Sequence, residues 1–441
     1  MTKVLIISYY WPPSGGAGVQ RWLKFVKYLP QFDFQPHVYT ALNGEMPVID
    51  HSLEKDIPPQ AVVIKRKIWE PYSVYKRFIG RKKDDKINAS FLNEGRKQGG
   101  ITEKISVWIR GNFFIPDARR FWIAPSVRFL NNYIKENNIG FVISSGPPHS
   151  MHLIARGLKK KNKNLVWLAD FRDPWTNIDF YDKLMLTSLA DAKHKRLELA
   201  VLKEADAIIT IGEGMNTEFK EMLRKAGSAN DSKFTVITNG YDNDDMAGAN
   251  VKKDQKFSLA HIGTLVKDRN PEVLWQALSD LLRQRSDLKD KLEIKLVGKV
   301  DVYVNDRINH YGLSAYVRRI AYLPHSEVIL EQQASHANLL LVNNTPNAKG
   351  ILTGKFFEYL AAGAPVLAIG PTDGDLASII NETKCGFICD FNDVSTLKQQ
   401  IIKLFEGHAM QSNMAAIDKY SRKSLTKKLV DVLEHLGRGA A

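Results

Sequence analysis

Two series of short apolar runs alternate along the chain with amphipathic stretches of helical period, and this alternation constrains the fold more than any other feature. Short runs without a polar face suit strands buried on both sides, and helices between them make βαβ units and parallel sheets. The first series is Lys3–Ser8, His37–Thr40, Val62–Lys67, Phe141–Ser145, Leu165–Asp170, Ala207–Ile211 and Phe234–Thr238. The second is Phe257–Ile262, Leu292–Val297, Val317–Leu323, Ala337–Val342, Pro365–Ile369 and Gly386–Asp390. Between strands, Val19–Leu29 places Trp22, Phe25, Val26 and Leu29 on one helical face. Pro271–Arg285 reads as a helix with Asn270 as N-cap and Pro271 in its first turn. The polar run Asn239–Lys256 has no apolar period and reads as an interdomain linker. Two α/β domains of similar size are expected, with Lys65–Arg120 an insertion in the first.

Composition narrows the class. A chain of 441 residues, 44% apolar and 25% charged, is an ordinary globular protein rather than a disordered chain or a coiled coil. No stretch approaches the roughly 18–20 apolar residues of a membrane span. The apolar start ends at Pro12-Pro13, too soon for a signal peptide, so a cytoplasmic protein is expected. Cys385 and Cys389 form a lone C-x3-C without a partner pair and are expected as core residues, with no metal bound. The net charge of +14 favours polyanionic partners. Much of it sits in residues 65–120, with 15 Lys and Arg against 6 Asp and Glu. No nucleic-acid-binding motif accompanies it, so nucleic acid is not an expected partner.

Open parallel sheets bind ligands beyond the carboxyl ends of their strands. The first such loop, Trp11–Gly18, holds Gly15, Gly16 and Gly18 before a helix, where free N–H groups suit an anion. It lacks the third glycine of the dinucleotide fingerprint. The second, Ser144–Ser150, sets His149 at a helix N-terminus, where the dipole favours a neutral imidazole able to bond a hydroxyl. The third, Asp170–Trp175, gathers Asp170, Arg172 and Asp173, either at a ligand or in a structural pair. In the second series His261–Pro271 contains Gly263, which permits close approach, and Lys267 and Arg269, either able to neutralise a phosphate. Lys349–Pro365 supplies Thr353, Gly354 and Lys355 at a helix start and Glu358 one turn on, where a carboxylate can accept both hydroxyls of a ribose.

Taken in this order, the glycine loop, S-G-P-P-H-S, D-F-R-D-P-W, N-G-Y-D at Asn239–Asp242, the strand–Gly263-Thr264 loop and K-F-F-E-Y-L-A-A-G-A-P-V resemble the retaining GT-B glycosyltransferases of the family 4 type over nearly the whole chain. The resemblance implies two Rossmann-like doubly wound domains facing a cleft. Residues 1–243 would form the acceptor side, 244–420 would bind the nucleotide sugar, and 421–441 would be a helix packing back on the first domain. It makes Glu358 the second glutamate of E-x7-E, with Gly350 where the first would stand. Thr264 takes the place of the arginine in G-R-x4-K, and Arg269 that of the lysine, so the second cation is either missing or supplied by Lys267 or Lys355. His149 corresponds to the histidine beside the transferred sugar, and Gly16 to the glycine whose N–H meets the diphosphate.

The implied catalytic set is thus His149, Arg269 and Glu358. The donor set is Gly16, Gly263, Thr264, Arg269, Thr353, Gly354, Lys355 and Glu358, and Asp170, Arg172 and Asp173 are acceptor-side candidates. The implied partners are a nucleotide-sugar donor and a glycan or lipid-linked acceptor, with no cofactor and no metal. A nucleotide-sugar epimerase of the same fold and a non-catalytic relative are the alternatives. Interleaved basic and bulky residues, Lys76–Lys83 and then Ile105–Phe114, suit an anionic membrane surface, placing a peripheral protein at the inner face of the plasma membrane.

Overall fold

The computed structural model describes residues 1–46, 48–70, 101–178, 180–228, 230–246, 251–408 and 410–440. The chain divides into two compact units. One holds the described residues up to Thr238 together with the helix Arg422–Ala440, and the other takes Asn239–Ser421.

The first unit is built on seven strands: β1 (Thr2–Ile7), β2 (Phe34–Ala41), β3 (Val62–Arg66), β4 (Phe141–Gly146), β5 (Val166–Phe171), β6 (Ala207–Thr210) and β7 (Phe234–Val236). Their order is β3-β2-β1-β4-β5-β6-β7, with every pair parallel. The second unit holds six: β8 (Phe257–Ile262), β9 (Leu292–Val297), β10 (Val317–Ile320), β11 (Ala337–Leu341), β12 (Val366–Ile369) and β13 (Gly386–Cys389). They run β10-β9-β8-β11-β12-β13, again all parallel. Each strand coincides with an apolar run of the sequence. In both sheets the order reverses beside the first strand, so the switch points lie between β1 and β4 and between β8 and β11.

Helices cover both faces of each sheet. On one face of the first, Trp122, Leu130, Ile154 and Leu158 pack against Val142 and Trp167. On the other, Val19, Trp22, Phe25 and Val26 of the helix Ala17–Tyr28 meet Val4, Ile6 and Leu168. The Arg422–Ala440 helix joins this layer through Leu425, Leu429, Val430 and Leu433. In the second unit Trp275 and Leu278 lie in one layer, and Phe356, Phe357 and Tyr359 in the other.

Two local expectations need correction. The helix after Pro271 begins at Glu272, and Asn270 does not cap it. The Asn270 side chain instead donates to Glu272 and accepts from the Trp275 indole at 2.8 Å, and Pro271 stands at the cap position without a side-chain bond. The run Asn239–Lys256 is not a free linker over its described residues. Tyr241 and Asp242 are buried, Tyr241 N–H donates to the Tyr420 carbonyl, and Asp254 pairs with the buried Lys295 at 2.7 Å. Polar residues without an apolar period are here spent on buried partners of the second unit.

Between β3 and β4, the helices Ile101–Phe113 and Arg120–Glu136 are described, while the basic tract Lys76–Lys83 lies outside the described residues. Cys385 and Cys389 are buried and free. Among the described residues no helix is long and apolar enough to cross a membrane.

Candidate active site

In the second unit the switch-point loops converge on Lys355. β8 ends at Ile262, and Gly263 follows with φ +115°, a conformation that favours glycine. A Cβ on Gly263 would lie 2.2 Å from Lys355 Nζ, so the ammonium occupies the space that the missing side chain leaves. Lys355 comes from the helix Gly354–Ala362, whose Phe356, Phe357 and Tyr359 are fully buried. Tyr359 Oη accepts from Ile262 N–H at 3.3 Å and fixes that helix against the end of β8. Burial, and then the charge of Arg269, pulls the Lys355 pKa down to about 8 against the pull of Glu358.

Arg269 reaches across the switch point, with Nε donating to Asn343 Oδ1 at 2.8 Å just past β11. Thr353 stands at the N-cap with extended backbone, and its buried hydroxyl has no partner within the described residues. Gly354 then opens the helix with nothing within 4 Å of its Cβ position. Glu358, half-buried one turn further, receives a long contact of 3.4 Å from Gln332. Gly263, Arg269, Thr353, Gly354, Lys355 and Glu358 thus lie in one region: two cations, a helix N-terminus and a carboxylate. Thr264 is exposed, and Lys267 is spent on the Tyr303 ring, 5.0 Å from its centroid. Lys355 is therefore the second cation beside Arg269. At Gly350 there is no carboxylate, and the neighbouring Lys349 pairs with Asp373 at 2.5 Å.

In the first unit Arg172 ties the loops after β1 and β4 together. Its Nη1 donates to the Gly18 carbonyl at 2.8 Å and its Nη2 to that of Pro147 at 3.0 Å. Asp173, half-exposed, pairs loosely with Arg172 at 3.5 Å. Gly16 is exposed at the N-cap of Ala17–Tyr28 with φ +94°.

Asp170 is a different case. Its carboxylate is fully buried and accepts from Arg21, from the Trp22 indole at 2.7 Å and from Ser145 Oγ at 2.9 Å. Burial opposes its ionisation, but the charge and hydrogen bonds of Arg21, with those of Trp22 and Ser145, outweigh it and hold the pKa below the ordinary value. Arg21 also donates to the carbonyls of Ile237 and Thr238. Asp170 is thus a fully buried carboxylate held by structural partners, and its pair is with Arg21 rather than Arg172.

His149 is nearly buried, and its ring lies flat on Trp175, with centroids 4.5 Å apart and planes within 2°. Burial, with the charges of His152, His194 and Arg172, holds its pKa well below the ordinary value, so the imidazole is neutral at physiological pH. The helix end beside it, at Ser150, is capped from a distance. Asp117 accepts from Ser150 N–H at 2.8 Å and from its hydroxyl at 2.9 Å. Asp117, Trp175, His194 and Glu198 were not singled out in the sequence. D-P-W marked Trp175 as part of a motif, but nothing in residue order paired it with His149.

Two all-parallel doubly wound sheets with these switch-point loops match solved structures over their full length. The fold is GT-B. A glycosyltransferase from Rickettsia africae ESF-5 is similar at a TM-score of 0.61 and 16% identity, covering 99% of this chain and 98% of that one. Sucrose-phosphate synthase from Thermosynechococcus elongatus gives 0.62 and 14%, covering 100% of both. The lipopolysaccharide outer core galactosyltransferase WaaB gives 0.57 and 12%, covering 99% of both. At these identities the likeness concerns the GT-B fold alone. Residues 242–424, close to the extent of the second unit, match the family model "Glycosyl transferases group 1", which supports sugar transfer as the activity. No curated protein sequence matches the chain.

Proposed function

We propose that the protein is a retaining, family 4-type glycosyltransferase that moves a sugar from a nucleotide-diphosphate sugar to a hydroxyl acceptor without a metal, in synthesis of a cell-surface polysaccharide or lipid-linked glycan. The observation that carries this reading is the meeting of Lys355 and Arg269 at Gly263, beside the helix start Thr353-Gly354. Breaking a sugar–diphosphate bond leaves negative charge on the nucleotide. Two fixed cations and free N–H groups stabilise that charge where it develops. Glu358 then accepts the ribose hydroxyls, and the neutral His149 bonds the transferred sugar. Retention follows if the leaving phosphate assists the acceptor on the same face, so no protein nucleophile is required. The surface-glycan product rests on the motif resemblance of the sequence, since the likeness to WaaB concerns the fold alone.

Thermal shifts with UDP-, GDP- and dTDP-sugars, repeated in EDTA, test the reading. One donor should stabilise the protein and be turned over without metal, and Lys355→Ala and Glu358→Ala should each remove the shift. Sugar interconversion without any acceptor would mark an epimerase instead, and binding without turnover would mark a non-catalytic relative.

The protein would work at the inner face of the plasma membrane. Support comes from exposed aromatic residues around the insertion: Trp69 packs edge-on against Phe121, Trp108 against Phe113, and Arg120 donates to the Phe113 carbonyl. Such residues suit a headgroup boundary. Sedimentation with anionic vesicles at low salt and release at high salt is expected. Equal behaviour with neutral vesicles would refute the membrane part of the reading.

A further inference from the structure

The proposed sugar-side histidine rests on an apparatus that the transfer reading does not explain. Trp175, whose face holds His149, is fixed by two residues on one face of the helix Ser188–Glu204. The indole N–H donates to His194 Nδ1 at 3.0 Å. One turn later, Glu198 receives the backbone N–H groups of Trp175 and Thr176 at 3.2 and 3.3 Å and also the Thr176 hydroxyl. Glu198 is fully buried and His194 nearly so. None of these Glu198 partners is a cation. A buried carboxylate without a counter-charge is costly, and three donors from one two-residue turn are what it holds in return.

The other side of His149 is equally confined. A Cβ on Gly146 would lie 2.9 Å from His149 Nδ1 and 2.5 Å from His152 Nε2. His152 is itself held by Ser144 Oγ at 2.9 Å and stacks on Phe171 at 4.4 Å. The imidazole therefore has one orientation, set on one side by the strand end and on the other by the indole. The helix Ser188–Glu204 fixes the indole.

We propose that Glu198 and His194 are positioning residues for the transfer reaction: they lock the Trp175-Thr176 turn and through it the ring of His149. The inference rests on the proposed function. It predicts coupling, because residues that act through His149 have no effect once His149 is gone.

The test is a double-mutant cycle on donor turnover. Glu198→Ala should lower kcat about tenfold or more with donor KM changed less than twofold, since the nucleotide residues lie on the other unit. Glu198→Gln, which keeps a carbonyl acceptor for the turn, should restore most of that loss. His149→Ala with Glu198→Ala should be no slower than His149→Ala alone. If Glu198→Ala does not fold, Thr176→Val removes one bond to Glu198 at a half-buried position and enters the same cycle. Additive losses, or a Glu198→Ala variant with wild-type kcat, would overturn the positioning role and leave the transferase reading standing. A wild-type protein that turns over no donor would overturn both.

Discussion

The residue that concentrates most chemistry is Lys355. Its ammonium is held over Gly263, largely out of water and next to Arg269, and it loses its proton near pH 8 when the site is empty. Under the proposed function, the protonated form is the one that would bind a diphosphate. Nucleoside diphosphate affinity should therefore fall about tenfold between pH 7 and pH 9, with about half of the protonated form already lost at pH 8. Calorimetry at the two pH values checks this. Lys355→Met should weaken binding at pH 7 and remove the decline, and a decline that persists in this variant would assign the titration elsewhere. Gly263→Ala should be worse than a simple alanine substitution. It combines a disfavoured φ of +115° with a Cβ on top of the ammonium, for a cost of order 1–3 kcal/mol in stability and a loss of nucleotide affinity. Glycines and ionisable residues at strand ends made these positions legible in the sequence. The partner of Asp170 was not legible, because Arg21 lies 149 residues away and joins it only when the helix Ala17–Tyr28 crosses the sheet.

At the scale of elements, the helix Ser188–Glu204 carries a buried carboxylate whose pKa burial pushes up to about 7. In the unfolded chain the same group titrates near 4.5. The folded state thus binds the extra proton between these values, and stability falls as pH rises through that window. Glu198→Gln should remove the decline and leave the variant more stable than wild type above pH 7, by at most about 3 kcal/mol. Chemical denaturation at pH 5 and pH 8 measures it, and an unchanged difference between the two proteins would show that Glu198 is not the titrating group. The strands were readable because parallel strands covered on both faces keep continuous apolar runs, as in the fully buried β5 and β8. The stacking of His149 on Trp175 was not, since it joins two loops through ring faces that leave no mark in residue order. The Arg422–Ala440 helix packs on the first unit, as the resemblance implied, although its own residue pattern gives little sign of it. Its lysines dilute the apolar signal, yet Leu425, Leu429 and Leu433 recur every four residues on its buried face.

For the whole molecule the decisive fact is that the chain leaves the first unit after Thr238 and returns at Arg422. Beside that passage Arg21 holds the carbonyls of Ile237 and Thr238, and Tyr241 pairs with the returning segment at Ser421. Leu429 and Leu433 complete the first unit's core from the far end of the described chain. Leu429→Ala and Leu433→Ala should each cost about 2–5 kcal/mol. The cost should appear in unfolding of the first unit, read by hydrogen exchange in β1 and β4, while β8 and β11 keep their protection. Equal loss of protection in both sheets would mean that the units unfold as one. The same threading sets an order of events during synthesis. Domains usually mature in the order in which they leave the ribosome. Here the segment Asn239–Ser421 has everything it needs before the older half does. The first sheet, although made first, has only part of its cover on the face where Ala17–Tyr28 packs until the helix from Arg422 emerges, so completion of the older half waits on a segment made after the newer one.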